Sequence, residues 1–428
     1  MTGDGRTPDG VEGCDRAGSR SLAARLAGSA TREGSSRPLP LSWIVILGSL
    51  AGLPPLAIDL YLPALPSLTH GLHASAWTGQ LTLTGFVAGL AAGQLVAGAL
   101  SDAHGRRMPL LLGLVGYVAS TALCAAAPDV WTLVVLRIIS GATGGAGVVI
   151  GRAIVRDTCS GTAAARVFAL MMLVTGSAPV IAPLIGGQLL VITDWRGLFA
   201  ALAALGVLQL AVVAVVLHET LPPAQRHGGE VRLMLARFRR LLANSRFSAD
   251  AGSLGLSFGA FFAYVSASSF LLEDVYHASP QLFSLIFALL AAVFVASAQV
   301  GGRLVERVGA RALFANGLAV MAASSVGALV VLATGAGLGA LIACLVLVNV
   351  ANGLVWPNGT AVAMDEAGAM AGSASALLGV GQFGLGALVA PLVGVAGSRA
   401  ALPTGIVMGA CGLGAWLLYH RGNTIRGR

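Results

Sequence analysis

The sequence predicts an all-α membrane protein: twelve transmembrane helices in two six-helix bundles, with both termini cytoplasmic. Three observations carry this. Of 428 residues, 56% are hydrophobic and 10% charged, with a mean hydropathy of +0.84, whereas a soluble domain carries about 25% charged residues. Apolar runs recur from residue 41 to 420, each about 20 residues long and so able to cross a ~30 Å hydrocarbon core at ~1.5 Å per residue. Finally, GALSDAHGRRMPLLLG at 98–113 returns 204 positions later as GRLVERVGARALFANG at 302–317, which aligns Gly98 with Gly302, Asp102 with Glu306, Gly105 with Gly309 and Arg107 with Arg311.

The predicted spans are 42–66, 78–100, 108–127, 130–152, 167–191, 197–217, 248–272, 281–302, 311–333, 337–360, 372–397 and 401–420. The longest polar break, 218–247, separates six spans from six. With the echo at 302–317, it implies a duplicated six-helix unit in parallel repeat. The expected organisation is a disordered cytoplasmic tail (1–40), an amino-terminal bundle (41–217), a central cytoplasmic loop (218–247), a carboxyl-terminal bundle (248–420) and a short cytoplasmic tail (421–428). Residues 1–38 are rich in Gly, Arg and Ser and hold few large apolar side chains, so they bury no core. A cleaved signal peptide would need a shorter apolar core; the full-length span that follows is expected to stay in the membrane.

All 26 basic residues are Arg. Without Lys there is no P-loop, hence no ATPase of that type. An inside amino terminus puts 23 Arg on cytoplasmic segments and only Arg196 and Arg399 on the other side, leaving Arg137 within a span. That asymmetry sets orientation, and the net charge of +8 reports topology, not nucleic-acid binding. The five Cys have no CxxC and no His-paired spacing, so no metal site or disulfide is expected. Seven scattered His and few carboxylates within spans argue against a membrane enzyme.

The break at 98–113 reads first as a cytoplasmic hairpin. Gly105 permits the turn, and Arg106 and Arg107 obey the inside-positive bias. Neither explains Asp102, whose charge opposes the dipole at the foot of its helix, nor its echo at Glu306. Gly98, Asp102, Gly105, Arg106 and Arg107, with Gly302, Glu306, Gly309 and Arg311, are therefore candidates for a gate. Within the first span lies Asp59. A carboxylate at mid-membrane costs ~2.5–3.5 kcal/mol on insertion scales, so it should face a cavity; a snorkelling acid near the outer surface is the alternative, since Pro63 and Pro66 follow closely. Desolvation favours the neutral acid and a neighbouring cation the carboxylate, and that tension suits a group that exchanges a proton. Arg137 in the fourth span lies at a matching depth, ~6 Å against ~7.5 Å outward of the span centres. The two are expected to pair, directly or through water, either for coupling or as scaffold. A shift of 204 puts Ala263 and Leu341 at their places in the second half, an asymmetry that favours function.

In the fifth span Ala178, Ala182 and Gly186 recur every fourth residue, while Pro179 and Pro183 remove backbone donors. Gly386, Ala390 and Gly394 repeat the spacing in the eleventh, for static packing or for sliding. GATGGAG, 141–147, lies inside an apolar helix with no preceding strand and is no dinucleotide loop. Gln80, Gln94, Gln209, Gln299, Asn349, Asn352 and Gln382 each need a partner, in a cavity or between helices. Tyr61, Trp356 and Phe262 are candidate apolar walls for a ligand, or plain packing.

These residues resemble the major facilitator superfamily and, within it, the bicyclomycin/chloramphenicol resistance subfamily of drug–proton antiporters. GALSDAHGRR is similar to the superfamily's loop 2–3 signature. IDLYLPALPSL (58–68) resembles the subfamily's first-span signature, LRIISGATGGAGVVIGRAIVRD (136–157) its fourth-span motif, and GSAPVIAPLIGG (176–187), with Gly176, Pro179, Pro183, Gly186 and Gly187, its antiporter motif. ETLPP (219–223) and AGSASALLG (371–379) match as well. Two departures stand out: Ile58 replaces a frequent small hydroxyl residue before the Asp, and Ala103 a frequent basic one.

The resemblance implies an inner-membrane, multi-pass, monomeric transporter that exports bicyclomycin- or chloramphenicol-like compounds against protons by alternating access, with no cofactor beyond the proton gradient. An exporter of an endogenous metabolite, or an importer of a nutrient, is the alternative on the same fold. Asp59, Arg137 and Tyr61 would form the proton and substrate site. The antiporter-motif span is expected to pack on a second-half helix near the periplasmic side. Asp102 would latch onto the start of span eleven, near Gly372 and Ser373, since a helix N-terminus attracts an anion.

Overall fold

The computed structural model describes residues 40–159, 161–226, 231–367, 370–394 and 401–426; the tail expected over 1–40 lies outside them apart from Pro40. All regular structure among them is helical. The first half comprises α1 (Leu41–Asp59), a 3₁₀ turn (Leu62–Ala64), α2 (Leu65–Gly71), α3 (Ala76–His104), α4 (Arg107–Ala125), α5 (Val130–Thr158), α6 (Gly161–Leu189) and α7 (Trp195–Val216). After α8 (Val231–Ala243), the second half comprises α9 (Ser245–Ser269), a π-helical turn (Phe270–Val275), α10 (Pro280–Val308), α11 (Ala310–Thr334), α12 (Leu338–Ala367), α13 (Ala371–Gly394) and α14 (Ala401–Arg426). Among the described residues, eleven helical segments are long and apolar enough to cross a membrane. In α6 the apolar described stretch is Val174–Leu189.

Each predicted span overlaps one of these helices, with three corrections. The first span runs over Leu41–Gly71 and so contains the predicted 42–66, but its α-helix is interrupted after Asp59: Pro63 denies the Asp59 carbonyl its i+4 donor, and the chain continues through the 3₁₀ turn into α2. The central loop holds α8, whose sequence VRLMLARFRRLLA alternates Arg and Leu at helical spacing; only a polar break was expected. The last helix continues to Arg426, past the expected limit of 420.

Polar side chains start several helices. Ser75 accepts from Thr78 N in α3, Asp129 from Trp131 N and Thr132 N in α5, and Asp194 from Arg196 N and Gly197 N in α7. Each supplies an acceptor to otherwise orphaned N–H groups. Gly105 and Gly309 both have positive φ, 92° and 85°, the backbone that a side chain resists. The repeated glycine thus makes the same turn in both halves.

In the first half α3 packs on α5, α1 on α6, and α4 on α5 and α7. In the second, α11 packs on α12 and α14, α9 on α13 and α14, and α10 on α12. The most extensive contacts between the halves are α3 with α13 and α6 with α10. The α3–α5 contact explains GATGGAG. A Cβ at Gly89 or Gly93 would overlap the carbonyl of Ile138 or Ala142, and one at Gly141 the carbonyl of Phe86. Backbone meets backbone there, as small residues allow in lipid. Gly386 of the small stripe on α13 packs within its own half: a Cβ there would lie 2.7 Å from the Phe258 ring.

Gly93→Val should force α3 off α5, costing ~1–3 kcal/mol as overpacking does. A lower thermal unfolding midpoint in detergent is the expected outcome, with Gly379→Val, where no atom lies within 4 Å of the added Cβ, as the matched control.

Candidate functional site

Between the halves lies a cavity of about 230 Å³. The amino half contributes Pro54, Pro55, Ile58 and Asp59 from α1, Leu90 from α3 and Pro179 from α6. The carboxyl half contributes Phe258, Phe261, Phe262, Tyr264 and Val265 from α9, Phe287, Leu290, Ala291 and Phe294 from α10, Asn349 and Trp356 from α12, and Phe383 from α13. Asp59 is the one charged residue in this lining, and its side chain makes no hydrogen bond or ion pair among the described residues. It sits at the end of α1 where the prolines break the span, 7% exposed. This position is the cavity-facing one the sequence predicted.

Arg137 is completely buried in the amino half. Its Nη2 donates to Ala57 O at 3.0 Å, two residues before Asp59. The two charges share a level, as expected, but no direct ion pair joins them. The guanidinium instead lies 4.1 Å from the centroid of Phe86, 4.7 Å from Tyr61 and 5.6 Å from Phe199. Its Nε and Nη1 have no hydrogen-bond partner among the described residues. Tyr61 is correspondingly no cavity wall: its hydroxyl shares a 3.1 Å hydrogen bond with Thr82 and its ring lies 5.2 Å from that of Phe199, tilted by 40°. Trp356, Phe262 and Asn349 do line the cavity. Asn349 donates to Leu345 O, and Gln209 ties α7 to α1 through Ser49 O at 3.1 Å.

The other Phe side chains of the cavity went unremarked in the sequence. Phe258, Phe261 and Phe262 on α9 do follow helical spacing, but so would core residues.

The hairpin at 98–107 is tied within its own half. Arg106 bonds Asp102 one turn back, Ser101 Oγ at 2.9 Å and Asp157 at the end of α5 at 2.8 Å. The ion-pair partner of Asp102 among the described residues is Arg106, and its side chain is 55% exposed; the expected target at the start of span eleven, near Gly372, lies outside the described side chains. Arg107 donates to Leu217 O and Ala214 O at the end of α7. Glu219, the first residue of ETLPP, supplies a connection that sequence reasoning missed. Its carboxylate accepts from the backbone N–H of Arg106 at 2.8 Å and of Arg107 at 3.2 Å, the start of α4. Thr220 N and Leu221 N donate to it as well. Burial works to raise the pKa of Glu219, but these backbone donors outweigh it and hold the group below the usual carboxylate range.

In the second half Gly309 repeats the turn, and Arg311 bonds Glu366 at 3.0 Å, at the end of α12. Both hairpins thus tie an Arg to an acid at the end of the helix two further on. Glu306 is exposed, and Gly302 has open space where a side chain would go.

The antiporter-motif stretch meets the other half as expected. A Cβ on Gly187 would overlap the Ser284 hydroxyl of α10, and Gln281 donates to Gly187 O at 3.3 Å, whereas Gly186 packs within its own half, where a Cβ would overlap Leu60 O. Pro179 lines the cavity, Ala182 is fully buried, and Gly176 touches nothing within 4 Å of an added Cβ. Pro183 lies inside α6.

Two helical halves around one cavity, with glycine turns and Arg–acid ties repeated in both, define a multi-pass membrane transporter, not an enzyme. The chain belongs to the Major Facilitator Superfamily, whose family model matches residues 47–391. An MFS-type transporter of Bacillus subtilis strain 168, YdgK, is 36% identical over 372 residues, covering 86% of this chain and 92% of that one. A bicyclomycin resistance protein homologue of Haemophilus influenzae is 28% identical, covering 88% and 95%. The multidrug resistance protein MdtL of Klebsiella pneumoniae strain 342 is 30% identical over 255 residues, 58% of this chain and 62% of its own length. Among solved structures, a bacterial homologue of the human lysosomal transporter Spinster, inward-facing and occupied, superposes with a TM-score of 0.72 at 16% identity, covering 91% of this chain and 98% of that one.

Glu219→Gln should weaken the hold on the start of α4 by ~1 kcal/mol, the worth of a lost cap. Amide exchange at Arg106 and Arg107 is then expected to speed up about fivefold. The group's pKa is lowered on folding, so in the unmutated protein its stabilisation is full above the unfolded value of ~4.3 and fades as pH falls through the folded one. An acid titration of exchange at these two amides should show that loss, and the variant should lack it.

Proposed function

We propose that the chain is a proton-coupled drug exporter of the inner (plasma) membrane, acting as a monomer. In this reading twelve spans form two bundles, 41–217 and 248–420, that rock about the central cavity, with both termini cytoplasmic. The Arg distribution supports the orientation, and the names of the bicyclomycin and multidrug resistance relatives support drug export. Bicyclomycin- and chloramphenicol-like compounds are the first substrates to test.

The observation that carries the reading is Asp59, an unpartnered carboxyl in an otherwise uncharged cavity between the halves. A carboxyl so placed holds either a proton or a positive partner, but is poorly tolerated as a bare anion. Protonation from the outside releases drug outward. The cavity then turns inward and the proton leaves. Arg137, two residues from it in the fold through Ala57 O, is a cation that can approach the deprotonated acid and favour proton release. Tyr61 positions that guanidinium through its ring face. The hairpin ties hold the bundle ends that must separate and rejoin.

Asp59→Asn should abolish uncoupler-sensitive export in a drug-sensitive host at unchanged protein level. Normal pumping by this variant would remove Asp59 as the coupling group. Gradient-driven uptake of a nutrient, with no protection from drugs, would assign the chain to import instead.

A further inference from the structure

We infer that α8 is a docking surface for anionic phospholipid headgroups of the cytoplasmic leaflet, held by Arg237, Arg239 and Arg240. The inference goes beyond drug export. It rests on the cytoplasmic placement of the central segment, whatever solute the cavity carries.

Four observations meet there. The helix carries four Arg and no acidic residue. At ~100° per residue Arg237, Arg239 and Arg240 share one arc, about 160° wide, and Phe238, Leu241 and Leu242 another, about 100° wide. The inside-positive bias asks only that Arg be on this side of the membrane; it does not gather them on one arc. Second, these three Arg are exposed, and none enters an ion pair among the described residues. Third, Leu241 is 1% exposed and belongs to an apolar cluster with Phe247, Phe314 and Tyr419 of the carboxyl half, yet Leu242 on the same arc is 55% exposed. The bundle therefore covers only part of the apolar arc. Fourth, Asn244 alone separates α8 from α9, which opens an apolar span, and Leu242 O accepts from Ser248 Oγ at 2.7 Å. At ~1.5 Å per residue Arg239 and Arg240 stand within about 8 Å of that joint along the axis, and Arg237 within about 11 Å, at any tilt of the helix. The negative potential of a leaflet reaches about as far. A basic amphipathic helix so tethered lies in the interfacial plane. Leu242 then meets the acyl boundary, and the guanidinium groups reach phosphate oxygens. Zwitterionic headgroups carry no net charge, so the uncompensated Arg select anionic ones.

The test uses the full-length protein in nanodiscs of phosphatidylcholine, alone or with about 30% phosphatidylglycerol, and reads amide deuterium exchange over 231–243. Phosphatidylglycerol is expected to slow that exchange about tenfold in ~50 mM NaCl, and less than about threefold in ~500 mM, where charge is screened. Arg237→Gln, Arg239→Gln and Arg240→Gln combined should lose the response. Arg303→Gln with Arg307→Gln, two exposed Arg at the end of α10, should keep it. If the combined variant fails to fold, Arg239→Gln alone should lower the phosphatidylglycerol retained per chain in native mass spectrometry, and unchanged retention counts against the assignment. Equal exchange in the two bilayers, or a response that survives the combined variant, overturns it. Equal protection by inorganic phosphate in phosphatidylcholine discs overturns it in favour of a soluble-anion site. Nanodiscs sustain no gradient, so these outcomes leave the exporter reading untouched.

Discussion

An arginine with no exposed surface organises the amino-terminal bundle. Away from water, a guanidinium must find its partners inside the protein. Arg137 finds one carbonyl, on Ala57, and ring faces contributed by three segments: Tyr61 beyond α1, Phe86 on α3 and Phe199 on α7. Those contacts fix where α5 stands, and the glycines at 89, 93 and 141 let it stand that close to α3. The position of Asp59 follows, because Arg137 grips the chain two residues before it.

The cavity then divides its chemistry between the halves. The acid comes from the amino half and most of the aromatic surface from the carboxyl half. A ligand that fills the cavity therefore touches both halves at once. The halves meet where α6 packs on α10, through Gly187, Ser284 and Gln281. The α3–α13 seam is the other extensive contact between them.

Much of this was legible in the sequence. Hydropathy placed the helices, the 204-residue echo announced equivalent turns, and both glycines do have positive φ. Asp59 and Arg137 stood out because charge in an apolar run has few explanations. Partnership was less legible. Depth along two helices places charges at one level but not on facing sides, and Arg137 turns toward rings that sequence spacing cannot bring together. Asp102 and Arg106 were both marked as gate candidates, but their pairing with Asp157 at the end of α5 spans 51 residues of chain and left no local pattern. The role of Glu219 depends on a contact 113 residues distant in the chain, for which no local pattern exists. The amphipathic rhythm of α8 was present but hidden by the polar residues around it.

The carboxylate of Glu219 belongs to the segment that leads from one half to the next, yet it grips the hairpin of the first. Thr220 adds a 3.4 Å contact to Asp157, and at the far end α8 packs on α9 and α13. The connector is therefore a strap fastened at both ends. The first half's hairpin holds its beginning and helices of the second half hold α8, so both halves share the grip on the segment that joins them.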